Sequence, residues 1–172
     1  MSRHPSKRHQ RSVKRTTLIV VEGPSEKIFV KHIISIFGRN SGTRVTIEPA
    51  FGGSGDSILK LAVKMCSGYD SGVVLYDGDR PPTKKSIIKK SHHKKIKHIV
   101  SYPAIEATLL AILGQPIPKS TLDCKSALGK YLNAPLTNSF MYQRYFPEEV
   151  LRDRVKAVQI LRELMDALGI II

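Results

Sequence analysis

Two apolar patterns alternate between residues 16 and 113. Continuous runs of β-branched and apolar residues, read as buried strands, are interleaved with stretches whose apolar positions recur at helical spacing. Thr17-Leu18-Ile19-Val20-Val21 fills the first run and Gly23-Pro24 ends it, which predicts a strand over 16–22. Ser25 is placed to cap a helix that carries Ile28, Phe29, His32, Ile33 and Ile36 and closes at Phe37-Gly38. A short alternating strand follows over 44–49. Gly52-Gly53-Ser54-Gly55 makes a tight connection, and Asp56 or Ser57 caps a helix carrying Ile58, Leu59, Leu61, Ala62 and Met65. Ser71-Gly72 leads into a strand over 73–77. Pro81-Pro82 forces a loop, and 84–95 fits either a helix or a mobile segment. Residues 96–101 form a fourth strand, and Pro103 opens a helix through Leu113.

This βαβαβ(α)β order predicts an α/β fold, a parallel four-stranded sheet flanked by helices. In the common 2-1-3-4 strand order, strands one and three meet at the topological switch point, where open α/β sheets keep their chemistry. Beyond Gly114 the strand signal ends. Helices are expected over 121–132 and 147–168, the latter with a stripe of Leu151, Val155, Val158, Leu161, Met165 and Leu168 to bury. The organisation expected is a basic arm over 1–15, a catalytic domain over 16–113 and a helical extension over 114–172.

Charge sharpens this picture. Residues 1–15 hold Arg3, Lys7, Arg8, Arg11, Lys14 and Arg15 with no acid, and 80–105 hold Arg80, Lys84, Lys85, Lys89, Lys90, Lys94, Lys95 and Lys97 with no acid. Those fourteen cations equal the whole net charge of +14. Such concentration is the footprint of a polyanion partner, here nucleic acid. No apolar run approaches the roughly 20 residues that span a bilayer, and the basic N-terminus lacks a signal peptide's apolar core. A cytoplasmic location without membrane contact is the expectation. Cys66 and Cys124 lack metal or disulfide spacing and read as reduced thiols.

The candidate chemistry sits at two strand ends. Glu22 follows the first strand in Val-Val-Glu-Gly, and Asp77 and Asp79 follow the third in Asp-Gly-Asp. Either motif alone is an ordinary turn. Together, one βα unit apart, they point to a divalent cation acting on phosphate. Arg80 is the nearest cation and is suited to a charged transition state. His92, His93 and His98 read as phosphate contacts or solvated groups, and His32 as a satisfied core residue.

These residues resemble the Toprim domain shared by topoisomerases, primases and several nucleases, over about 16–113. Val-Glu-Gly-Pro-Ser-Glu-Lys-Ile-Phe-Val is similar to Toprim nucleases of the OLD (overcoming lysogenization defect) type, which have an acid where Glu26 stands. Tyr102-Pro-Ala-Ile-Glu106 resembles the Pro-x-x-Glu helix of small RloB-like Toprim proteins. The resemblance implies Mg²⁺ or Mn²⁺ held by Asp77 and Asp79. It also implies Glu22 as ligand or general acid/base, Glu26 at a second metal position and Glu106 as a catalytic acid. The nucleotide-binding P-loop of the OLD type is absent, as are zinc-ribbon cysteines. The expectation is a metal-dependent nuclease acting on DNA or RNA, in phage defence or nucleic-acid repair. The alternatives are a non-catalytic nucleic-acid-binding module, or one subunit of a complex with a separate ATPase. Gly169-Ile170-Ile171-Ile172 either tucks onto the helical core or offers a contact for a second copy or a partner protein.

Overall fold

The computed structural model describes residues 15–171. Four strands, β1 (Arg15–Val21), β2 (Thr43–Pro49), β3 (Ser71–Asp77) and β4 (Lys97–Ser101), form one parallel sheet in the order β2-β1-β3-β4. The helices that connect them are α1 (Pro24–Phe37), α2 (Gly55–Met65) and α3 (Lys85–His93), with α4 (Ile105–Ile112) following β4. This is the α/β architecture that the apolar runs predict, with the strand order expected from the common topology. Central strands buried on both faces carry unbroken apolar runs, as β1 and β3 do.

The two-residue period of a strand divides the core. Leu18, Val20, Val74 and Tyr76 face α2 and α3, together with Ile58, Leu59, Ala62 and Ile87. Ile19, Val21, Val73 and Leu75 face the opposite side, where Phe29, Val30, Ile33, Leu109 and Leu110 pack. Helices α5 (Thr121–Tyr131), α6 (Ser139–Tyr145), α7 (Glu148–Arg154) and α8 (Gln159–Ala167) contribute Leu128, Tyr142, Leu151 and Leu161 to this second cluster. His32 is buried there, with Nε2 2.8 Å from the Phe146 carbonyl.

Several local expectations change. The cap of α1 is Gly23, not Ser25, because Pro24 at the first helical position already has the backbone angle a helix needs. Asp56 does not cap its own helix. Its carboxylate accepts from the Thr83 and Lys84 N–H groups (3.0 and 2.9 Å) and from the Thr83 hydroxyl (3.0 Å), so it ties α2 to the start of α3. Residues 84–95 are largely helical. The single helix expected over 147–168 is two, broken around Val155–Val158 with neither Gly nor Pro. The break lets α7 pack on α4 while α8 reaches β4, where Lys97 donates to the Glu163 carbonyl (3.2 Å). Helix α6 lies where the sequence predicts only turns; the Asn138 side chain caps it by accepting from Phe140 N–H (3.0 Å).

Candidate functional site

The register sets the site. Val21 pairs with Leu75 across the central strands, so the chain segments leaving β1 and β3 emerge side by side at the switch point. A cleft of about 510 Å³ opens there, lined by Glu22, Glu26, Asp77 and Glu106 among others. Each carboxylate has its own support. Glu22 leaves β1, and its Oε2 accepts from the Asp77 N–H at 3.3 Å. Glu26 stands in the first turn of α1 and accepts from the Gly23 N–H at 2.9 Å, as a capping-box acid does. Asp77 ends β3, and its Oδ1 accepts from the Ile105 N–H at the start of α4 (2.9 Å). Glu106 lies in the first turn of that helix.

Glu26 and Glu106 are only 7 % and 8 % exposed. Oε2 of Glu106 is buried without a hydrogen-bond partner among the described residues. Burial, then repulsion from Glu22, Glu26 and Glu106, pushes the Asp77 carboxyl up to about 8, against the opposing Ile105 N–H. Burial also raises Glu26, with smaller contributions from Glu22 and Glu106 and with backbone hydrogen bonds opposing. Crowded, desolvated carboxylates shift in this direction because each penalises its neighbour's charge. Lys125 of α5 is the cation that lines the cleft.

The cleft therefore gathers Glu22, Glu26, Asp77 and Glu106 from the sequence-derived candidates. Asp79 is exposed, does not line the cleft, and accepts from the Thr121 hydroxyl at 2.6 Å. Gly78 separates the two aspartates, and a Cβ there would come within 2.6 Å of the Tyr102 ring. Arg80 is exposed and also lies outside the cleft lining. Lys84, Lys85, Lys89, Lys90 and Lys95 are exposed on or beside α3, on the α2 side of the sheet. Lys94 donates to the Ser67 hydroxyl at 2.8 Å, and Lys97 is engaged with α8. Arg15 opens β1. Arg3, Lys7, Arg8, Arg11 and Lys14 lie outside the described residues. Sequence reasoning misses Lys125, because a lone lysine in a polar helix carries no signal; only the fold sets it opposite four acids.

As the side chains stand, no three acidic, histidine or cysteine residues among those described form a ready metal-holding group. The donor chemistry still fits a hard divalent cation. Among the described residues, oxygen ligands predominate, acids outnumber the one ammonium of Lys125, and one buried oxygen lacks a partner. A second hollow, about 450 Å³ beside β4, includes His98, Tyr102 and Glu163 in its lining, with Glu163 its sole carboxylate. Among the described residues no helix is long and apolar enough to cross a membrane. Ile170 is buried, whereas Ile171 is 98 % exposed. Compared with protein families, curated proteins and solved structures, the chain matches none.

Proposed function

We propose that this chain is a cytoplasmic, metal-dependent nuclease of Toprim type that hydrolyses phosphodiester bonds in DNA or RNA. The observation that carries the reading is the carboxylate quartet at the β1/β3 switch point. Glu22, Glu26, Asp77 and Glu106 come from two strand ends and two helix starts into one cleft. Burying four acids together costs stability unless a cation compensates them.

Glu22, Glu26, Asp77 and Glu106 would hold Mg²⁺ or Mn²⁺. The bound metal supplies a Lewis acid and water of lowered pKa. The chain's own residues do the rest. Asp77 is oriented by the Ile105 N–H and Glu22 by the Asp77 N–H. Lys125 sets a positive charge at the cleft wall, suited to a phosphate oxygen. The exposed lysines of α3 attract the polyanion without reading its sequence. Asp79 and Arg80 lie outside the lining of the cleft.

A second reading is a nucleic-acid-binding module without turnover, favoured by the lack of a ready metal-holding group among the described residues. One experiment separates them. Purified chain and its Asp77→Asn variant are incubated with plasmid, single-stranded DNA and RNA, each with Mg²⁺, Mn²⁺ or EDTA. Cleavage that requires metal and disappears in the variant supports the nuclease. Binding without cleavage in every metal supports the module.

A further inference from the structure

An exposed aromatic ring stands at the mouth of the carboxylate cleft. Phe51 follows β2, lines the cleft beside Glu22 and Asp77, and is 81 % exposed. Its backbone is left-handed, with φ at 55°. A bulky residue adopts that conformation at a cost, and a ring so exposed returns little packing for it.

The loop holding Phe51 is fastened at both ends. Ala50 N–H donates to the Val21 carbonyl (2.8 Å), and Gly52 N–H donates to the Glu22 carbonyl (3.0 Å). Phe51 is thus gripped between two bonds to the segment that carries Glu22. Farther along, Gly55 N–H donates to the Arg80 carbonyl (3.0 Å), and Asp56 binds Thr83 and Lys84. A Cβ on Gly55 would collide with the Pro81–Pro82 backbone, so the two loops touch directly. One short segment therefore runs from the carboxylates to the start of the basic helix, with a ring displayed at its carboxylate end.

We infer that Phe51 is a base-stacking platform that makes unpaired, single-stranded nucleic acid the substrate class of this site. Charged groups hold phosphates but do not distinguish strands, whereas aromatic rings take base faces. In a duplex those faces are covered by neighbouring base pairs. In a single strand, one base can rest on Phe51 while its phosphate lies toward Glu22 and Asp77 and the flanking backbone follows Arg80 and Lys84. The position of the phosphate rests on the nuclease reading; the stacking itself does not.

The test uses the full chain in EDTA, so that nothing is cut. Binding of a labelled single-stranded oligonucleotide and of the matching duplex is followed by anisotropy. A 2-aminopurine probe in the single strand reports stacking as a change in emission. Phe51→Ala should weaken single-strand binding about 5- to 100-fold, the range for removal of one base stack, and duplex binding less than about twofold. It should abolish the emission change. Phe51→Trp should retain both. Phe140→Ala, an equally exposed ring that does not line the cleft, should alter neither. Equal loss on both substrates, or none, in Phe51→Ala would overturn the inference. Cleavage with Mg²⁺ or Mn²⁺ is then measured separately. Metal-dependent cleavage by a chain indifferent to Phe51 leaves the nuclease and removes the platform. Intact stacking with no cleavage in any metal leaves the platform and removes the nuclease.

Discussion

The carboxylate cleft, at the carboxyl ends of β1 and β3, and the face of α3, on the α2 side of the sheet, are electrostatic opposites. The cleft crowds four acids into partly or fully buried positions, against one lysine. The α3 face spreads lysines into solvent, while Ile87 packs into the core on the α2 side and the Ser91 hydroxyl lies 3.0 Å from His98 Nε2 on β4. Buried like charges penalise the fold and hold their pKa values far from normal. Exposed like charges cost little and are screened within about 8–10 Å in ordinary salt. On the proposed function the contrast separates two tasks: the basic face would collect a polyanion, and the cleft would supply the chemistry once a cation offsets its repulsion of phosphate. A cation in the cleft would remove that conflict, which makes the effect of divalent metal the sharpest probe of the comparison.

The largest effect is expected at Asp77. Asp77→Asn should lower metal-dependent cleavage by at least about 100-fold, the scale of removing an electrostatic stabiliser of the transition state. Nucleic-acid binding should hold or tighten slightly, because one negative charge leaves the cleft. Stability without metal should move the other way. The carboxyl titrates near 3.8 in an unfolded chain and at about 8 in the folded one, so between those values the folded chain keeps a proton that the unfolded chain releases. The contribution of this carboxyl to stability is then fullest below about pH 4 and falls as pH rises toward 8. Thermal unfolding from pH 4 to 9 should show the parent losing stability relative to Asp77→Asn as pH rises, because His32, His98, Asp56 and Asp70 titrate alike in both, and Mg²⁺ or Mn²⁺ should flatten that difference. Each kcal/mol relieved should raise Tm by about 2–4 °C. A metal-free parent whose stability relative to Asp77→Asn rises across this range would contradict the crowded-carboxylate picture.

Glu22→Gln comes next, with a loss of turnover of about 10- to 100-fold and a preserved fold. Glutamine keeps an oxygen to accept from the Asp77 N–H and loses only the charge. Circular dichroism alongside the cleavage assay checks both. Unfolding of Glu22→Gln with Asp77→Asn intact would make Glu22 a structural residue.

The basic face should respond in affinity rather than in turnover per bound complex. Replacing Lys84, Lys85, Lys89 and Lys90 with alanine should reduce the slope of log affinity against log salt on duplex DNA, by about 0.9 for each phosphate that the variant no longer neutralises. Saturating cleavage should change much less than affinity. A quadruple variant that binds normally yet cannot cut would place these lysines in the reaction and erase the division between the two faces.

That division is only partly legible in the sequence. The strands are legible in unbroken runs such as Leu18–Val21, because buried parallel strands leave a local pattern, whereas their order matches a common topology for this succession of elements rather than any feature of the runs. Glu22 and Asp77 are legible for the same reason: each closes such a run. The convergence of Glu26 and Glu106 depends on where two helices start relative to each other, and local sequence offers the bland reading of acids in first turns. The break between α7 and α8 is set by packing on α4 and β4, with no Gly or Pro to announce it. Lys125 and Phe51 lie on segments whose sequence has no motif, so tertiary placement alone brings them to the cleft.

The smallest effect is expected where the sequence motif and the fold diverge. Asp-Gly-Asp reads as one unit, yet the fold splits it. Asp77 is tied to α4 through Ile105 and lines the cleft, whereas Asp79 is tied to α5 through Thr121 and faces solvent. Two neighbouring acids with separate partners should behave as separate residues. Asp79→Asn removes a charge but keeps an oxygen able to accept from the Thr121 hydroxyl, so cleavage should fall by less than about threefold, within the modest range of exposed polar contacts. Asp79→Ala removes the acceptor as well and should free the start of α5. That would appear as faster amide exchange at Thr121–Cys124, with a change in stability of about 0.5–1.5 kcal/mol for one exposed hydrogen bond. The decisive quantity is the ratio of the two asparagine variants: Asp77→Asn severe and Asp79→Asn mild fits a cleft that Asp79 does not enter. Equal, severe losses would mean that Asp79 leaves Thr121 and swings into the cleft when metal binds, restoring the Asp-Gly-Asp pair as the functional unit.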